Sequence, residues 1–228
     1  GSGLYFWGAV GDVSDCIIRD NSGASTGSGC CVRYTSAHAT FRRCRFLNNH
    51  SEDVGGAIYL SATSLTVEDC TFRGNSAADD GAALFCYDSN AILIGCTMDD
   101  NTVDQFGGGI VASLGDVTLI RCIVSNSGDG CAVYIYSGSS IILDCCNLYN
   151  NPNGNWTAQV ADQFGLSGNI CQDPQYCGIP GSGNYYLQSD SPCAPENSGC
   201  GERIGAWEVG CEETAADLKS WGEIKSLY

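Results

Sequence analysis

The chain repeats itself about every 26 residues, and nothing else in it narrows the possible folds so far. Cys16, Cys44, Cys70, Cys96, Cys122 and Cys146 are spaced by 28, 26, 26, 26 and 24 residues. Two positions after each comes an apolar residue: Ile18, Phe46, Phe72, Met98, Val124 or Leu148. Five positions after, Asn21, Asn49, Asn75, Asn101 and Asn151 recur, with Ser127 the exception beside Asn126. Upstream, the residues three and five before each Cys are apolar or small, as in Leu65 and Val67 or Val117 and Leu119. This period of two reads as a strand with one buried face. The parity shifts just before the Cys, so the chain bends there and starts a second strand. A third strand is expected at 57–60, 83–86 and 109–112, introduced by Gly55-Gly56, Gly81 and Gly107-Gly108. Three short strands joined by bends predict a triangular coil, and about six coils stack through parallel hydrogen bonds at a spacing of about 4.8 Å.

Stacking gives each column a physical role. The Asn column is expected to supply left-handed turn residues and to bond amide to amide from coil to coil. The six column cysteines read as buried thiols. Their parallel Cα–Cβ vectors hold the sulfur attachment points about 4.8 Å apart, wider than the roughly 3.5–4.5 Å of a disulfide. Disulfides are expected instead among Cys171, Cys177, Cys193, Cys200 and Cys211. That set is odd, so one member is expected to pair with Cys145, which faces outward beside the inward Cys146.

Charge and cysteine usage bound the function. Ten Lys and Arg against 26 Asp and Glu leave a formal charge of −16, which argues against nucleic acid as a partner. Sixteen Cys without one CxxC pair, and with only His38 and His50 as imidazoles, suggest an oxidising compartment rather than zinc ligands. No apolar run approaches the ~20 residues of a membrane span, so the expectation is a soluble, exported protein. Acidic residues cluster before the Gly-rich loops. Asp53, Asp79, Asp80 and Asp104 are weak Ca²⁺ candidates, set against a solvated acidic rim. No other cofactor is expected.

The phrases Phe46-Leu-Asn-Asn49 and Phe72-Arg-Gly-Asn75, alternating with Gly55-Gly-Ala-Ile58, resemble the FxxN and GGAI repeats of chlamydial polymorphic outer-membrane-protein passengers. They are also similar to those of secreted right-handed parallel β-helix proteins generally. The resemblance covers residues 1 to about 155. Residues 155–211, with Asp173-Pro174, Ser191-Pro-Cys193 and Gly210-Cys211, resemble the ending of secreted bacterial β-helix proteins. It implies an all-β, right-handed parallel β-helix and secretion, to the cell surface or the medium. The expected organisation is coils over 1–155, a Cys-rich last coil over 156–211 and an apolar tail over 212–228.

Pectate lyases and polygalacturonases share such a fold, so catalysis must be weighed. Arg42, Arg43, Arg45 and Arg73 with Glu68-Asp69 form the best charged group, but the Gly-His-Gly and Asn-Thr-Asp phrases of the hydrolases and the Asp-His strand motif of the lyases are absent. No catalytic residue is assigned. The expected function is a non-catalytic extracellular structural subunit that stacks end to end. Leu4 and Phe6 place the start of the chain inside a coil, and Trp221, Ile224 and Tyr228 are expected either to dock on the next copy or to fold over the chain's own last coil. The alternative is a carbohydrate-active or carbohydrate-binding β-helix, with a glycan as partner.

Overall fold

The computed structural model describes residues 2–8, 11–34, 38–157, 159–178, 182–211 and 222–225. Each coil runs through three main parallel sheets. Sheet A holds Leu4–Trp7, Cys30–Arg33, Ile58–Ser61, Leu84–Tyr87, Ile110–Ser113 and Val133–Ile135. Sheet B holds Asp12–Ser14, Ala39–Arg42, Ser64–Glu68, Asn90–Ile94, Asp116–Ile120 and Ser140–Asp144. Sheet C holds Cys16–Arg19, Arg45–Leu47, Thr71–Arg73, Thr97–Asp99, Ile123–Ser125 and Asn147–Tyr149. The register pairs equivalent repeat positions, for example Phe46 with Phe72 and Phe72 with Met98.

Single left-handed residues make the corners. Asp15, Arg43, Asp69, Gly95, Arg121 and Cys145 immediately precede the column cysteines, with φ between 48° and 60°. Asp20, Asn48, Gly74, Asp100, Asn126 and Asn150 immediately precede the Asn column, with φ between 52° and 61°. This corrects the expected role of the column asparagines, because the turn residue is the one before them. One left-handed residue reverses the side-chain parity, and the next side chain then points into the core. Inside, the amides form a ladder: Nδ2 of Asn21, Asn49 and Asn75 donates to Oδ1 of the next Asn at 2.8, 2.9 and 2.9 Å. Ser127 interrupts it. Asn151 resumes it by accepting from the Ser127 N–H and donating to Asn155 Oδ1.

The cysteine column is a file of thiols. Cys44, Cys70, Cys96, Cys122 and Cys146 are fully buried, and each S–H donates to the carbonyl two residues back. Burial pushes the Cys70, Cys122 and Cys146 thiols far above their ordinary range. Next to them Phe46 and Phe72 stack with ring centroids 4.9 Å apart.

Three details differ from expectation. The sheet A strands begin one residue later, since the residue after each Gly-rich loop still belongs to the corner. A fourth sheet, of Ser22–Thr26, His50–Val54, Ser76–Ala77 and Thr102–Val103, flattens the expected triangle. It has four strands, and the solenoid as a whole makes about five turns rather than six.

Past Tyr149 the chain closes the last coil with side-chain amides. Gln163 accepts from the Leu143 N–H and donates to the Ile141 carbonyl, and Asn169 does the same for Cys146 and Leu143. These amides stand where a further strand would pair. The chain then turns back along sheet C as a strap. Gly205 N–H bonds Arg121 O, Ala206 N–H bonds Thr97 Oγ1, and Trp207 Nε1 bonds Thr71 Oγ1, each contact one coil nearer the start. Arg45 lies over the Trp207 ring, 4.2 Å from its centroid.

Cys145–Cys200 and Cys177–Cys211 are disulfides. Cys171 and Cys193, named as disulfide candidates, are instead thiols, each met by an amide rather than by another sulfur: Asn155 Nδ2 at Cys171 and Asn147 Nδ2 at Cys193. Within the tail, Gly222–Lys225 pairs in parallel with Cys16–Arg19, Ile224 opposite Ile18. That corrects the expectation that the tail covers its own last coil, since the described strand lies on the first. Trp221 and Tyr228 fall outside the described residues. Leu4 and Phe6 lie in sheet A, half-buried against the core.

Candidate functional site

Most of the charged residues singled out in the sequence are taken up by protein partners. Arg42 pairs with Glu68 at 2.9 Å, Arg43 with Asp15 at 2.6 Å, and Arg203 of the strap with Asp69 at 3.2 Å. The acidic rim divides. Asp80 is buried, accepting from Phe106 N–H and from Tyr136 Oη at 2.6 Å, and Asp79 accepts from Gln105 Nε2. Burial, reinforced by the neighbouring Asp79, raises the Asp53 carboxyl. Asp104 is exposed. Among the described residues no three His, Cys, Asp or Glu side chains gather to hold a metal ion.

Two faces of the solenoid remain as candidates. Over sheet C the strap encloses a cleft of about 400 Å³, with Asp99 on its wall. Both oxygens of this carboxylate are in use, Oδ1 by Ser125 and Asn126 and Oδ2 by Tyr185. Burial, then the charge of Asp99, pushes the Tyr185 hydroxyl far up, so it stays a donor. Asp99 therefore anchors the strap.

The outer face of sheet A is aromatic and partly exposed among the described residues: Tyr5, Trp7 and Tyr87 are open to solvent, whereas Cys31, Phe85 and Val111 are buried. Parity puts Cys30, Val32, Ile58, Leu60, Leu84 and Cys86 in the core and sends the residues between them outward. Tyr5, Cys31, Tyr59, Phe85, Val111 and Tyr134 thus form one outer column, and Trp7, Arg33, Ser61, Tyr87 and Ser113 another. Tyr5 and Trp7 are more than half exposed, as is Tyr34, which meets Trp7 edge to face with centroids 4.8 Å apart. Tyr59 stacks on Phe85, Arg33 covers Tyr59, and Phe106 stacks on Tyr134. At that last pair the row meets a pocket of about 340 Å³. The sequence reading passed over these rings. Their signal was aromatic residues at the outward parity of a strand whose inward parity already filled the core.

A family model described as the right-handed beta helix region matches residues 1–116, half of the 228-residue chain. The chain belongs to the right-handed β-helix family. No curated protein and no solved structure matches it. The β-helix has no helix among its described residues long and apolar enough to cross a membrane. Membership explains the stacked coils and leaves the outer faces to carry function.

Proposed function

We propose that this β-helix is a non-catalytic glycan-binding protein that works outside the cytoplasm. The observation that carries the reading is the set of exposed aromatic rings on and beside the outer face of sheet A, Tyr5, Trp7, Tyr34, Tyr87 and Phe106. Coils spaced about 4.8 Å apart set these rings at multiples of a distance close to the length of a sugar unit. Flat rings flanked by hydroxyls and amides suit the apolar faces and polar edges of pyranoses. Large exposed apolar surface on a folded domain commonly marks a binding site. Two disulfides agree with an oxidising compartment. The carboxylates at the Phe106 end of the face, Asp79 and Asp80, already hold protein donors, which favours binding over hydrolysis. A glycan array followed by titration tests the reading: a defined glycan should bind without new reducing ends or unsaturated products, and Trp7→Ala should weaken it. Turnover of the glycan, or no glycan bound at all, would sink it.

A second reading, a structural subunit assembling end to end, is favoured by one observation. The Cys16–Arg19 edge of sheet C accepts Gly222–Lys225 as a parallel strand. The same strand reaching that edge of another copy would link copies into a filament, whereas direct stacking of coils would have to displace the amides of Gln163 and Asn169. Negative-stain electron microscopy before and after deletion of residues 214–228 tests it, and unchanged monodisperse particles in both would end it.

A further inference from the structure

We infer that the pocket where the aromatic row ends takes a neutral sugar ring and discriminates against a uronate. This rests on the glycan-binding reading and adds where a sugar sits and what charge it carries. One wall is the Phe106–Tyr134 stack, with centroids 4.6 Å apart and planes 15° from parallel. Phe106 is 43% exposed, so the part of its ring that Tyr134 leaves uncovered faces solvent. Across the pocket the Thr157 hydroxyl is buried and meets no hydrogen-bond partner among the described residues. An unmet buried hydroxyl costs roughly 1–3 kcal/mol, and a turn of the Thr157 side chain toward the pocket would let a ligand hydroxyl satisfy it. Gln105 and Asn153 complete the rim. Each spends its Nδ2 or Nε2 on the protein, Gln105 on Asp79 and Asn153 on the Asp129 carbonyl, which leaves the amide oxygens to accept from sugar hydroxyls.

The charge around the pocket decides the class of sugar. None of its lining residues is Lys, Arg or His. The acidic side chains bonded to its lining are Asp80, which holds the Phe106 N–H, and Asp79, which holds Gln105. A uronate carboxylate placed there would find no cation and two other carboxyl groups. A neutral pyranose would find a stacking wall, an unmet hydroxyl and two acceptors. The volume of about 340 Å³ falls in the usual range for small-ligand pockets, roughly 300–1,000 Å³.

Titration calorimetry with neutral hexose oligosaccharides and with oligogalacturonides of equal length tests the inference. The neutral series should bind at least about tenfold more tightly than the acidic one. Phe106→Ala should weaken neutral binding about tenfold and Thr157→Val about fivefold, with unchanged melting temperatures. Trp7→Ala should weaken long chains and leave disaccharides untouched. Tighter binding of the uronate would overturn the inference and leave the glycan reading standing. So would loss on Trp7→Ala with no effect of the two pocket substitutions, or binding of phenol but of no short sugar. Absence of binding by every glycan, long or short, would take the glycan reading down with it.

Discussion

Sheets A and C are cut from the same coils, yet one carries partly exposed aromatic rings while the other lies under a disulfide-pinned strap. On sheet C the outward residues Arg45, Thr71, Thr97 and Asp99 are polar, and each meets a group of the strap. On sheet A the outward residues are mainly rings that meet one another. The difference teaches that the repeat commits only the inward half of each strand. Its outward half is free to specialise, as the attachment of the strap on one face and the exposed rings on the other illustrate.

That contrast is open to direct attack. The largest expected effect comes from removing the Cys145–Cys200 bridge by a double Ser substitution, which should cost about 2–4 kcal/mol in chemical denaturation. Trp7→Ala on the exposed face should stay within about 0.5 kcal/mol. Equal losses would mean that sheet A depends on its outer surface as much as sheet C does. Next in size, Asp99→Ala strands the donors of Ser125, Asn126 and Tyr185 under the strap and should destabilise by about 2–3 kcal/mol.

Thiol reactivity sharpens the comparison further. Burial holds Cys86 behind sheet A and Cys193 beneath the strap up to about 12, so iodoacetamide at pH 8 should spare both in the native protein. Once the disulfides are reduced, mass mapping should find Cys193 modified before Cys86, because only the strap loosens. Modification of Cys86 first would reverse the assignment of which face is held by covalent links.

The smallest effect is electrostatic. Burial raises the Asp69 carboxyl beneath the strap above its ordinary 3.8, against the pull of Arg203 and Arg121. The folded state then holds this proton more tightly than the unfolded chain. Asp69 therefore makes stability fall as pH rises from about 3.8 through its raised value, with no further change above it. Asp69→Asn, which still suits the left-handed corner, should remove that slope from melting curves taken between pH 4 and 7. A slope identical to that of the unsubstituted chain would place the titrating group elsewhere.

Much of this was legible in the amino-acid order. A spacing near 26 residues, an apolar residue two beyond each Cys and an Asn five beyond it define the coils, the ladder and the thiol file. The reason is that a stacked parallel coil must put like residues above like. The join of Cys145 to the Cys-rich segment follows from the same parity, which turns Cys145 out and Cys146 in. What the repeat does not encode is any relation between residues that lie outside it. Only the tertiary structure placed Trp207 over Arg45, Tyr185 on Asp99 and Asp80 beneath Tyr136, and kept Cys171 and Cys193 as thiols. It alone laid the strap over sheet C and left Tyr5, Trp7 and Tyr87 of sheet A exposed. The physical cause is that periodicity reports local hydrogen bonding and burial, which recur with every coil. The path of a non-repeating segment instead depends on contacts between residues more than a hundred positions apart, such as Trp207 with Thr71, that no local pattern announces.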